Sequence, residues 1–180
     1  MVGPVIETER LDLRLVGESD VDLIFTLFSD PLVARWSGNG VAMTSREDAV
    51  ARIQRYATRG GPHPWAGVFV IESRAERCSV GVTLLVPLPA SQSIDRGDIE
   101  IGWHLLPSAW GHGYASEAGA AMIARGFDAG LDELYAVTNP DNERSQAVCG
   151  RLGMTDLGLR DDWYDTTLRA FTVKRPSSAG

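Results

Sequence analysis

The chain is short of several things at once, and each shortage removes a class of function. Lysine occurs once, at Lys174, so cationic work falls to arginine. Cysteine occurs twice, at Cys78 and Cys149, too few to staple a disulfide scaffold. The three histidines, His63, His104 and His112, have no metal-ligand spacing with one another or with the cysteines, so no metal is implied. No apolar run approaches the roughly 18 residues of a membrane span. The opening Met1-Val2-Gly3-Pro4 leads into charged positions rather than a signal peptide. Positive charge is also scarce: 17 Lys and Arg face 24 Asp and Glu, a net charge of −7, which disfavours binding to phosphate backbones. These shortages lead us to expect a soluble, cytoplasmic protein without nucleic acid or membrane as partner.

Three common signatures are missing as well. A phosphate-binding loop with Gly-Lys-Ser/Thr is excluded because the one lysine is at position 174. A dinucleotide fingerprint fails because Gly111-x-Gly113 is followed by Ser116 where the third glycine belongs, with no opening βαβ unit. No Gly-x-Ser-x-Gly occurs, which argues against a nucleophile-elbow hydrolase.

What is present is ordinary globular material: 180 residues, 44% apolar and 23% charged, enough for one well-cored domain. We read it as a single domain over 1–175 with a flexible tail at 176–180. Leu11, Leu13 and Leu15 alternate within 6–16, which predicts a strand. Ser19 is placed to cap a helix carrying Val21, Ile24, Phe25 and Phe28 that ends near Asp30-Pro31. Thr44 and Glu47 have capping-box spacing ahead of a second helix with Val50, Ile53 and Ala57 on one face. Runs at 65–72, 78–87 and 98–106 read as adjacent antiparallel strands. A small-residue helix closed by Gly130, a strand at 133–138, a helix stopped by Gly153 and a last strand at 168–175 follow. The order is β-α-α-β-β-β-α-β-α-β-β, an α/β (α+β) domain with a largely antiparallel front half.

The stretch SAWGHGYASEAG at 108–119 joins a strand to a helix through glycines. Such a junction offers free backbone N–H groups and a favourable dipole to an anion, although alone it is equally a structural turn. With the strand before it and NPDNERSQAVCGRLGM at 139–154, it resembles the GNAT superfamily of acyl-CoA-dependent N-acetyltransferases, nearest the Rim-type ribosomal-protein N-terminal acetyltransferases. The resemblance takes in nearly the whole chain.

That resemblance implies a mixed, mostly antiparallel sheet of about seven strands flanked by about four helices, with acetyl-CoA as cosubstrate and an amine, protein N-terminus or small molecule, as acceptor. The family turn, Gln/Arg-x-x-Gly-x-Gly/Ala, is here Trp110-Gly111-His112-Gly113-Tyr114-Ala115. Its amides, from Gly111 through His112, Gly113, Tyr114 and Ala115 to Ser116, are expected to hold the CoA pyrophosphate. His112 stands where the branch often has lysine. Trp103, His104, Leu105 and Leu106 are expected to line the pantetheine arm on a strand splayed from its neighbour, with Asn142 bonding the same arm. Arg35 and Trp36 follow the first helix in a region that lines acceptor sites in the family.

Acetyl transfer needs a neutral amine, a polarised thioester carbonyl and a proton for the departing thiolate. Glu100, Gly102 and His104 fall on one face of their strand. Family members often carry a strand carboxylate at the position of Glu100, which is therefore expected to be the general base through water, the alternative being that it binds an arginine or orients the substrate ammonium. His104 reads as a supporting residue. Asn142, Ser145 and Cys149 share a helix face. Many family members have a tyrosine acid where this chain has Cys149, so Ser145 is favoured as proton donor, with Cys149 as the other candidate. Asp156, Asp161, Asp162 and Asp165 cluster near the penultimate loop and suit a cationic amine, or are simply a solvated acidic loop. The absent tyrosine keeps a second reading open, a CoA-binding sensor or interaction protein with little catalysis. A homodimer is one possible assembly.

Overall fold

The computed structural model describes residues 5–94 and 96–176. Of the tail expected at 176–180, residues 177–180 lie outside the described residues. One sheet of eight strands forms the centre, in the order β1 (Ile6–Glu7), β2 (Leu11–Leu15), β3 (Gly67–Ser73), β4 (Cys78–Pro87), β5 (Ile99–Leu105), β6 (Glu133–Thr138), β8 (Leu168–Lys174), β7 (Thr155–Arg160). Every neighbouring pair is antiparallel except β5 and β6. The helices are α1 (Val21–Ser29), α2 (Pro31–Ala34), α3 (Arg46–Arg59), α4 (Tyr114–Asp128) and α5 (Glu143–Arg151).

Period-two alternation decides which side chain meets which helix. Val68, Val82, Leu84 and Val86 pack against Ile24, Leu27, Phe28 and Ile53 of α1 and α3. Leu11, Leu13, Phe69, Ile71, Leu85, Ile101 and Leu105 face Tyr114, Ala118, Met122 and Cys149 of α4 and α5. Because both faces of the central strands are covered, β3 is buried almost throughout. The small residues of α4 serve close packing: a Cβ at Gly119 would lie 2.8 Å from Leu152 Cδ1 and 3.3 Å from Trp103.

Four local expectations are corrected. The opening strand at 6–16 is a hairpin, broken because Thr8 Oγ1 accepts from the Leu11 amide and turns the chain. Ser19 does not cap α1. It sits in a short 3-10 turn, Glu18–Asp20, whose buried Asp20 carboxylate accepts from the Gly17 amide and from Arg14. Pro31 starts α2 rather than only ending α1, with Asp30 capping the Leu32 amide. The capping box of α3 is Ser45 with Asp48, one residue beyond Thr44 and Glu47. These changes, chiefly the split strand and the short α2, account for eight strands and five helices where about seven and about four are expected.

Candidate active site

Two helices begin just beyond the C-terminal ends of the two parallel strands, and the site lies there. β5 pairs with β4 along its whole length but meets β6 only at Glu100 opposite Tyr135. Beyond that point the strands diverge. The Leu106 amide donates to Val80, so the alternation of an antiparallel ladder turns the amide and carbonyl of Trp103 away from β4, into the gap. The gap opens into a cleft of about 990 Å³ bounded by β5, β6, α2 and the first turns of α4 and α5.

At one end stands the glycine turn. Gly111 and Gly113 both have φ of 82°, a left-handed conformation that costs other residues roughly 1–2 kcal/mol. Gly113 is the N-cap of α4 and no side chain caps that helix. The amides of Tyr114, Ala115 and Ser116 therefore remain for an anion, at the positive end of a helix of 15 residues. Arg10, which sequence reasoning passed over, braces the turn from outside. Its guanidinium donates to the His112 carbonyl (2.9 Å) and to Glu117 (2.7 Å), and stacks 5.2 Å from the Tyr114 ring. Burial pushes the Glu117 carboxyl up, but bonds from Thr8 and Arg10 outweigh it and hold the group below the usual carboxylate range. That negative charge in the first turn is thus occupied elsewhere.

Two further arginines line this end. Arg144 packs 4.6 Å from the Trp110 ring, and Arg151 donates to Ser116 Oγ (3.0 Å). Their spacing of seven on a helix, with Asn142 as its N-cap, is the sequence signal that would have found them. Trp110 is fixed by its own indole N–H to the Leu105 carbonyl (2.9 Å).

At the other end lies Glu100. It is 8% exposed, and its Oε2 accepts from Tyr164 Oη (2.5 Å) and Arg59 (2.8 Å). Tyr164 and Arg59 also contact each other. Glu100 Oε1 has no partner among the described residues, and none of their buried side-chain oxygens lacks one, so Oε1 opens to the cleft. Burial raises the Glu100 carboxyl above its ordinary value, while Arg59 and Tyr164 oppose the rise. Burial and the charge of Glu100 push Tyr164 up as well, so its hydroxyl keeps its proton. Neither partner carried a sequence signal: Arg59 ends α3, and Tyr164 arrives from a loop. Tyr164 and Asp165 both have positive φ, of 59° and 51°. They are held there by the Tyr164 amide on the Pro89 carbonyl and by Asp165 accepting from the Gln92 amide.

Of the residues singled out from the sequence, the cleft brings together Trp36, Glu100, Trp103, His104, Leu105, Gly111, Gly113, Tyr114, Ala115, Ser116, Asn142 and Ser145. His104 shares the face of Glu100 and meets the Phe28 ring edge-on at 5.2 Å. Burial, then the charges of Arg52 and Arg59, push its imidazole down to about 3, so it is neutral. Asn142 Oδ1 accepts from the Ser145 amide (3.2 Å), leaving the side-chain NH2 for a ligand.

Three expectations need correction, those for Cys149, Leu106 and Arg35. Cys149 faces the apolar core at 1% exposure, outside the cleft, and burial pushes its thiol up to about 12. Leu106 packs under α1 and α3 with the second core. The His112 side chain is exposed and stacks on Tyr114, which bears on its ring and not on the amide expected to hold phosphate. Arg35 is exposed and reaches the cleft only by lying 4.2 Å over the Trp36 ring. Of the two readings of the acidic loop, the solvated one fits: Asp156 pairs with Arg169, Asp162 with Arg96 and Arg160, and Asp165 with an amide, and none of them lines the cleft.

Known proteins resemble this chain in sequence and in fold. The family model described as an acetyltransferase (GNAT) domain matches residues 10–155. An uncharacterized N-acetyltransferase, YoaA of Bacillus subtilis, is 33% identical over 96% of this chain and 98% of its own. FsC-acetyl coenzyme A-N(2)-transacetylase of Aspergillus fumigatus is 29% identical over 91% of this chain and 70% of its own. Among solved structures, the RimL ribosomal L7/L12 alpha-N-protein acetyltransferase in complex with coenzyme A has the same fold, with a TM-score of 0.76 at 18% identity, covering 95% of this chain and 98% of that one.

Proposed function

The chain belongs to the GNAT acetyltransferase family and is an acyltransferase, and from this we propose that it moves an acetyl group from acetyl-CoA directly to a primary amine. One observation carries the reading: a single cleft runs from an uncapped helix start behind two left-handed glycines to a half-open buried carboxylate.

The residues fit the cosubstrate. The amides of Tyr114, Ala115 and Ser116 suit a pyrophosphate, Arg144 and Arg151 add positive charge beside them, and the unpaired edge of β5 at Trp103 suits an amide-bearing arm. Acetyl-CoA supplies an activated thioester. Glu100 Oε1 takes the proton from the acceptor nitrogen, directly or through one water, while Arg59 and Tyr164 fix the other oxygen. His104 stays neutral beside it and adds no second positive charge near the amine. Ser145, at the start of α5 where the helix dipole favours negative charge, gives the departing thiolate a hydrogen bond, and the sulfur takes its proton from water.

The test is release of free thiol from acetyl-CoA in the presence of an amine, alongside melting temperature with and without acetyl-CoA. Both are expected to rise. Stabilisation without thiol release across a broad amine panel would instead favour a CoA-binding sensor.

A further inference from the structure

We infer that the acceptor is a monoamine with an apolar or aromatic body, and not a polyamine or an aminoglycoside. The inference rests on the acetyltransferase reading above and adds the class of acceptor.

Charge is the first argument. Among the described residues that line the cleft, the only carboxylate is Glu100, and Arg59 already neutralises it. One oxygen, Oε1, is left to meet one nitrogen. The four aspartates of the 156–165 region, the obvious counter-charges for a polycation, do not line the cleft, and three of them are held by partners of their own. Three arginines stand behind the acceptor end without lining it. Arg35 lies over Trp36, Arg52 lies 3.6 Å over the Phe28 ring, and Arg59 holds Glu100. A second ammonium on the acceptor would enter the cleft with no carboxylate left to meet it, the costly form of charge burial.

Surface chemistry is the second argument. The wall opposite the cofactor end is made by Leu32, Val33, Trp36 and Leu84. Leu32 is 50% exposed at the mouth, and Trp36 is half-buried with an arginine on its ring. Such a wall gains from covering an apolar body and offers few partners to sugar hydroxyls. The two guanidiniums nearest Glu100 and His104 are already engaged: Arg52 donates to Tyr56 and Ser37, and Arg59 to Glu100 and Tyr164.

The test compares phenethylamine, spermidine, kanamycin and phenylalanine on the full chain. Turnover with acetyl-CoA and calorimetric binding to the CoA-loaded protein are both measured. Phenethylamine is expected to exceed each of the others about tenfold or more in kcat/KM and in affinity. Trp36→Ala is expected to raise KM for phenethylamine about tenfold without moving KM for acetyl-CoA or the melting temperature. A preference for spermidine or kanamycin would overturn the single-charge argument, and a preference for phenylalanine would overturn the reading of this end as one that takes an amine without an acid group. Failure of phenethylamine both to bind and to react would overturn the inference outright. Binding of phenethylamine in the expected order, with no thiol released, would leave the acceptor class standing and overturn the catalytic reading instead.

Discussion

The two ends of the cleft are built in opposite ways. At the cofactor end the groups offered to a ligand are mostly backbone amides, positioned by two glycines at φ of 82° and a helix start without a side-chain cap. At the acceptor end they are side chains that converge from distant parts of the chain: Arg59 from α3, Glu100 from β5 and Tyr164 from the loop before β8. The contrast follows the ligands proposed for the two ends. A pyrophosphate is the same in every reaction and suits a fixed nest of amides. An acceptor amine requires a tuned proton acceptor, and tuning needs charges and hydroxyls whose identity can change.

Substitutions at the two ends should therefore separate binding from chemistry. The largest effect is expected at Gly113→Asp. The variant forces a non-glycine residue into the left-handed region, sets its Cβ 3.2 Å from Arg10, and puts a carboxylate where phosphate belongs. KM for acetyl-CoA should rise about a hundredfold or more, measured by thiol release, with the circular dichroism spectrum unchanged. Next comes Glu100→Gln, which keeps the shape and removes the proton acceptor. Turnover should fall about a hundredfold while KM for acetyl-CoA stays put. Equal turnover would reduce Glu100 to a structural partner of Arg59.

A smaller change is expected at Tyr164→Phe. Burial raises the Glu100 carboxyl, and Arg59 and Tyr164 restrain the rise. Without the tyrosine hydroxyl the restraint weakens, so the acid limb of the rate against pH should move to higher pH, with acetyl-CoA affinity unchanged. A limb that stays in place would separate Tyr164 from the base. The smallest effect is on stability. His104 titrates near 6.5 when unfolded and is pushed down to about 3 when folded, burial being the main cause. Between those values the unfolded chain binds a proton that the native state does not, so stability falls as pH falls from about 6.5 towards 3. His104→Gln should flatten that part of the melting-temperature profile and leave the neutral-pH rate profile without a new limb.

The same contrast explains what could be read before the fold was known. Alternation and glycine placement located β4, β6 and α5 nearly to the residue, and the turn at 111–116 is contiguous, so its chemistry is local in sequence. Glu100 and His104 were placed on one face because a strand has period two. Boundaries failed where a side chain outcompeted the pattern, as with Thr8 breaking the first strand and Asp20 displacing Ser19. Cys149 shares a helix face with Asn142 and Ser145 yet lies in the core, because that face extends from cleft to core as the helix descends. Arg59 and Tyr164 were invisible for a plainer reason: they lie 41 and 64 positions from Glu100, and nothing local marks a residue as a partner across such a span.

The division between the two ends is most directly tested by titrating acetyl-CoA calorimetrically into the wild-type protein, Gly113→Asp and Glu100→Gln. The account predicts that Gly113→Asp loses binding while Glu100→Gln binds as tightly as wild type. Wild-type affinity in Gly113→Asp would contradict it.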